Sequence, residues 1–306
     1  MKNIYKISIF IFLIFIGNKI VVKTTYKKPY YGIKLDIAQV GVDIRLNDIP
    51  IYFDDDKGQL TIDLPAPSSV INGENELKII AFTPYIDDEN KMEKFLPGSE
   101  VNATLYVQEY DDPDNKKEIL TNIFIKFNDK NQAEVIKPDN NLEKENIELS
   151  TDNKAIITRK IKINSQFPQW QWESGKLISN TKENYESLLQ AYKKIYFAFK
   201  NKDSDEVFKI YNDKAKEISI AYHLNSLSDG HKKISTGEDM NDNDLELYDF
   251  WTEGMVLDIY ANGRLARLIN EDTTQPIIFI DRSAGAIHTH KFGFYKDKNN
   301  EWILIR

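Results

Sequence analysis

The chain has 306 residues, 41% of them hydrophobic and 12% aromatic, with a formal net charge of -8 and an isoelectric point near 5.2. That length suits two domains, the apolar content excludes global disorder, and the acidic balance excludes nucleic acid as a general partner, because phosphate binding needs a basic face. Cysteine is absent, which removes disulfides, thiolate metal sites, a cysteine nucleophile and cysteine lipidation.

The first element is a targeting segment. Lys2 and Lys6 precede an apolar run over residues 7–16 that Gly17, Asn18 and Lys19 end. The run has the length of a signal-peptide core and is short for a membrane span. No small-x-small cleavage site follows, and Lys19, Lys23, Lys27 and Lys28 crowd the exit. Residues 1–23 are therefore expected to be a signal peptide or an uncleaved inner-membrane anchor, with the rest of the chain in the periplasm.

Residues 24–165 read as strands and turns. Leu35, Ile37, Val40, Val42, Ile44 and Leu46 nearly alternate with polar residues, and Asn47-Asp48 supplies a turn. The polar stretch 54–58 reads as a hairpin loop before Leu60, Ile62 and Leu64. Further short runs lie at 77–82, 101–107, 119–127 and 155–163, with turn residues between them. Such spacing without helical periodicity predicts an antiparallel β-sandwich. The segment VINGENELKII (70–80) resembles a loop and strand seen in Ig-like and jelly-roll modules. Phe167, Trp170 and Trp172 then mark an aromatic linker over residues 166–179.

Residues 180–306 read as an α+β domain. Asn180 with Glu183 predicts a helix start; Tyr185, Leu188, Leu189, Tyr192, Ile195, Tyr196 and Phe199 fall on one face. Asp203 with Glu206 predicts a second start. Val207, Phe208, Ile210, Tyr211, Ala215, Ile218 and Tyr222 form its apolar face. A long polar loop is expected over 223–244. Asn262-Gly263 then predicts a two-residue hairpin turn at positive φ. Strands are expected at 277–280, 286–295 and 302–306. Two helices followed by a meander that closes on EWILIR (301–306) resemble the NTF2-like or cystatin-like fold. The fold class expected for the whole is thus multidomain α+β, a sandwich followed by an NTF2-like domain, and the resemblance implies a concave pocket.

Local motifs carry little chemistry. His288-Thr289-His290 puts two imidazoles on one strand face, but Phe292 and Phe294 continue that face and no third ligand is well spaced, so no metal is expected. Asp239-Met240-Asn241-Asp242-Asn243 begins like a calcium loop and lacks its glycine and closing glutamate. Asp281-Arg282-Ser283-Ala284-Gly285 lacks the first glycine of a nucleophile elbow. No catalytic residue and no cofactor is expected.

Two functional readings follow. The first is an exported, non-enzymatic protein-binding module. The two-domain order resembles that of exported proteins of Gram-negative bacteria, and the resemblance implies a toxin-immunity role in the sharpest case, with a basic toxin as partner. Asp239, Asp242 and Asp244 would lie on a projecting loop, Trp251 would be the anchor, and Trp170 and Trp172 a stacking platform. The second is a small-molecule binder or enzyme using the NTF2-like pocket, with His288, His290 and Asp258 as its polar groups. A filled interior beside an exposed apolar patch rimmed by acids favours the first reading.

Overall fold

The structure, a computed structural model, describes residues 26–56, 58–85, 92–112, 116–136, 154–270 and 273–306, and the backbone of 146–150. The class is α+β: mostly antiparallel sheets with three α-helices among the described residues. No helix among the described residues is long and apolar enough to cross a membrane.

The N-terminal part consists of β1 (Pro29–Ala38), β2 (Gly41–Leu46), β3 (Ile49–Asp54), β4 (Gln59–Pro65), β5 (Gly73–Phe82), β6 (Glu100–Glu109), β7 (Glu118–Phe127), β8 (Ala133–Val135), β9 (Asn146–Ser150) and β10 (Lys154–Ile163). They form two five-stranded sheets, ordered β4-β1-β6-β7-β8 and β3-β2-β5-β10-β9. Alternate residues along each strand point one way. Ile33 and Leu35, Val101, Ala103 and Leu105, and Ile123 and Ile125 from the first sheet meet Val42, Ile44, Leu77, Ile79 and Ile157 from the second in one buried cluster. Each fully buried valine, leucine or isoleucine contributes about 1.5–3 kcal/mol.

The alternating run 35–46 is two strands in different sheets. The chain changes sheet at Gln39, whose φ is 56°. Between β3 and β4 the chain likewise passes from one sheet to the other, because the two strands do not pair. Asn47 and Asp48 form the expected turn, at φ 55° and 61°.

The C-terminal part holds α1 (Lys182–Lys200), α2 (Ser204–Ala221), α3 (Leu227–Lys233), β11 (Leu245–Leu247), β12 (Val256–Tyr260), β13 (Leu265–Ile269), β14 (Ile278–Asp281), β15 (Ile287–Thr289), β16 (Phe294–Lys296) and β17 (Trp302–Leu304). One sheet is ordered β12-β13-β16-β17, and a smaller one β11-β14-β15. Leu188, Tyr192, Ile195 and Phe199 of α1 and Val207 and Tyr211 of α2 pack on Leu257, Leu268, Phe279, Phe292 and Phe294 in a second buried cluster.

Four local expectations change. The α1 cap is Thr181, whose hydroxyl accepts from Asn184 N–H; Asp203 caps α2 as expected, accepting from Glu206 N–H at 3.0 Å. Part of the supposed loop 223–244 is α3, capped by Ser226 accepting from Asp229 N–H. The run 286–295 is two strands, because Gly293 passes where a Cβ would lie 2.1 Å from Tyr260 Oη, and the chain changes sheet there. The β12–β13 turn spans four residues, 261–264, with Ala261, Asn262 and Gly263 all at positive φ.

The two parts share one interior. Trp170 is 1% exposed, donates its indole N–H to Val70 O at 2.8 Å, and lies 5.2 Å from the Phe167 ring. Ala221, Tyr260, Ala261, Leu265, Tyr295 and Ile305 belong to the same buried cluster as the N-terminal sheets. Arg306 pairs with the buried Glu217, donates to Ser68 O at 2.7 Å and lies over the Trp170 ring. Glu217 also accepts from Gln171 N–H at 2.8 Å.

Candidate functional site

The acidic segment after α3 is the most distinctive surface. Residues 234–263 contain Glu238, Asp239, Asp242, Asp244, Glu246, Asp249, Glu253 and Asp258, and no lysine, arginine or histidine. Three of these acids are paired. Asp239 lies 2.8 Å from His290, Glu246 lies 2.7 Å from Arg282, and Asp258 lies 2.7 Å from Arg267. Glu238, Asp242, Asp244, Asp249 and Glu253 are exposed and form no ion pair among the described residues. Like charges this close keep a local negative potential that draws basic groups.

The loop that carries these acids is held and does not project freely. Met240 is buried in the second core cluster. Thr236 N–H donates to His231 O at 3.0 Å, and the Asn241 amide donates to Gly237 O at 3.1 Å. Asp239 reaches His290, whose ring is set among Phe199, Phe279 and Phe292 at 5.4, 5.5 and 5.6 Å. The contact is at ion-pair distance but off the line of a good hydrogen bond. The His290 ring nevertheless holds the Asp239 carboxyl below its ordinary value, against a smaller opposing effect of burial.

From Leu245 the chain runs along β14. Glu246 pairs with Ile280, which pairs with Ile287 across β15, so these three share the outward face. Tyr248 N–H extends the ladder, donating to Ile278 O at 2.9 Å, and Trp251 N–H donates to Pro276 O at 3.4 Å. Tyr248 is 50% and Ile287 65% exposed, and Trp251 is half-buried. An apolar strip with acids along one side results.

Compared with known families, curated proteins and solved structures, the chain matches none.

The remaining predicted residues are dispersed. His288 is exposed on β15, whereas Asp258 sits in the other sheet opposite Arg267. Between the sheets and helices the interior is filled by Tyr192, Phe199, Tyr211, Phe279, Phe292 and Phe294. A buried polar knot crosses it. The Tyr192 hydroxyl donates to Gln275 Oε1 at 2.7 Å and accepts from Leu268 N–H at 3.2 Å, and Gln275 Nε2 donates to Phe292 O at 3.3 Å. No group of three or more histidine and carboxylate side chains suited to a metal occurs among the described residues. Trp170 and Trp172 form no open platform, since both are buried at the junction.

Two features escaped sequence reasoning. The pairing of Asp239 with His290 joins residues 51 positions apart, and nothing local signals it. Sequence reasoning picks out the acidic run only at Asp239, Asp242 and Asp244; that it continues without a base through Asp258 shows on counting charges along the chain.

Proposed function

We propose that this chain is an exported, non-enzymatic protein-binding module, with an N-terminal β-sandwich and an NTF2-like C-terminal domain, that captures a basic partner protein. An immunity-type inhibitor of a secreted toxin is the sharpest form of the reading. The observation that carries it is the segment 238–253, in which five exposed, unpaired acids flank Tyr248 and Trp251 on a stretch anchored by Met240 and by backbone hydrogen bonds to Pro276 and Ile278. Acids of that kind attract a basic surface and speed its approach, while a half-buried aromatic holds it once docked. The filled interior of the C-terminal part supports the same reading, because a small-molecule site there needs open space that the aromatic side chains occupy. The periplasmic location rests on residues 1–23, which lie outside the described residues.

The test is binding kinetics against the product of the adjacent gene. Association at nanomolar to micromolar affinity, falling with salt, together with protection of cells exposed to that product, supports the proposal. Absence of binding and of protection would sink it.

A further inference from the structure

We propose that the cleft where the two halves meet is a second binding site, for a neutral, hydroxyl-rich small molecule of the mono- or disaccharide class. The cleft has a volume of about 330 Å³, at the lower end of the range usual for ligand sites, and domain junctions are where such sites concentrate. It shares none of the acids of segment 238–253 and goes beyond the partner surface.

Glu74, Glu76 and Lys160 line it from β5 and β10, and Trp172, Glu173 and Arg264 from the junction and the β12–β13 turn. Each side therefore carries both signs of charge. Lys160 lies 3.1 Å from Glu74 on one side, and Glu173 and Arg264 share the other. An ion or a zwitterion finds a like charge beside every opposite one. A hydroxyl does not, because it donates to a carboxylate and accepts from an ammonium, guanidinium or indole N–H with the same atom.

Three observations point to an occupant. Trp172 lines the cleft, and its buried indole N–H has no acceptor among the described residues. Buried donors are seldom left so; the indole N–H presents almost no surface to the cleft, so a ligand oxygen supplies the missing partner only as the ring turns toward it. Glu173 uses one oxygen on Trp170 N–H at 2.6 Å, which leaves its other oxygen for a ligand hydroxyl, and burial pushes its carboxyl above the ordinary range. Ala261, also lining the cleft, is held at φ 51°, a conformation alanine disfavours, by its N–H bond to Asp48 O at 3.3 Å, beside Asn262 N–H on Asp48 Oδ2 at 3.1 Å. Such strain persists where the surroundings enforce it and is frequent at ligand sites.

The four tryptophans give a direct readout in nitrogen-15 spectra of the full chain. The indole signal of Trp172 is assigned by Trp172→Phe, and that of Trp302, bonded to Ser187 Oγ at 2.9 Å, serves as the internal control. Glucose, galactose, N-acetylglucosamine, maltose and cellobiose are titrated, with glycylglycine as the zwitterionic comparison. The expected result is a saturable downfield shift of the Trp172 signal with at least one sugar, a still Trp302 signal, and at least tenfold weaker binding in Lys160→Met and Glu76→Gln. Both variants lie away from the buried core, so their folding is checked by the unchanged remainder of the spectrum. No saturable shift with any sugar, a shift with glycylglycine instead, or full binding retained in both folded variants would overturn the proposal.

Discussion

Asp239 stands beside Met240 of the second buried cluster and 51 positions from His290, yet that distant partner is the main influence on its carboxyl. The His290 ring keeps its carboxyl ionised below the ordinary carboxylate range. A depressed acid contributes stability that is present above the unfolded value, roughly pH 4, and is lost as pH falls through the folded value. The stability difference between the native chain and Asp239→Asn should therefore shrink as pH falls from about 5 to about 3, measured by chemical denaturation; a difference that stays flat would show that the pair stabilises nothing. Gly263 makes the complementary case for backbone. Its φ is 83°, and an added Cβ would meet only Leu177 Cδ2 at 3.5 Å and Ile178 O at 4.0 Å, so the cost of a side chain there lies in the backbone and not in crowding. Gly263→Val should lower stability by about 1–3 kcal/mol, read from the denaturation midpoint. The requirement for positive φ was legible from Asn262-Gly263. That the turn takes in Ala261 was not, because alanine gives no such signal and is held there by Asp48 from the other half of the chain.

At the scale of elements, α3 was missed for a reason in the residues. Its seven positions include a glycine and a histidine and show no apolar periodicity, so only Ser226 with Asp229 marks it. Gly230 is the contact that decides the matter: a Cβ there would fall 2.2 Å from Ala215 O, so α3 lies directly on α2. Ser226→Ala should cost about 0.5–2 kcal/mol through the lost cap, and Gly230→Ala should cost more than its gain in helix propensity predicts; equal or higher stability in Gly230→Ala would refute the close approach. The unbroken alternation over 286–295 predicts one continuous strand. The change of sheet is dictated by Gly293, where the chain passes under Tyr260 and pairs with Arg306 instead. Spacing alone puts Phe208 on the inner face of α2; it is exposed and its ring lies tilted against His231 at 4.7 Å, because α3 offers an outer partner that periodicity cannot reveal.

For the whole molecule, the junction governs behaviour. Trp170 is packed between the two halves, and Arg306 ties Glu217 to the Ser68 carbonyl. Because one buried cluster spans the junction, calorimetry should show a single unfolding transition, and two separated transitions would contradict the shared core. Trp170→Ala should cost about 3–5 kcal/mol, and Glu217→Ala about the same, since it strands a buried guanidinium. At the proposed partner surface, Asp242→Asn with Asp244→Asn and Asp249→Asn should slow association and flatten its salt dependence with little effect on dissociation. Trp251→Ala should instead speed dissociation by about thirtyfold, the kinetic equivalent of ~2 kcal/mol. Surface-plasmon traces at two salt concentrations distinguish the two effects, and identical changes in both variants would mean that the surface is misplaced.

What the sequence determined by itself is local. Alternation and helical spacing depend on nearest neighbours, so strands, the two long helices and the Asn47-Asp48 turn were readable from residues a few positions apart. The tertiary structure alone decided which strand joined which sheet, that Trp170 and Trp172 are covered, that the C-terminal interior is filled, and that Asp239 meets His290. These depend on contacts between residues tens to hundreds of positions apart, such as Arg306 with Ser68. An apolar residue states that it will be buried and leaves open against what, because the hydrophobic effect has no direction. Partners are chosen by packing and by the need to satisfy every buried polar group, and those constraints exist only once the chain has closed on itself.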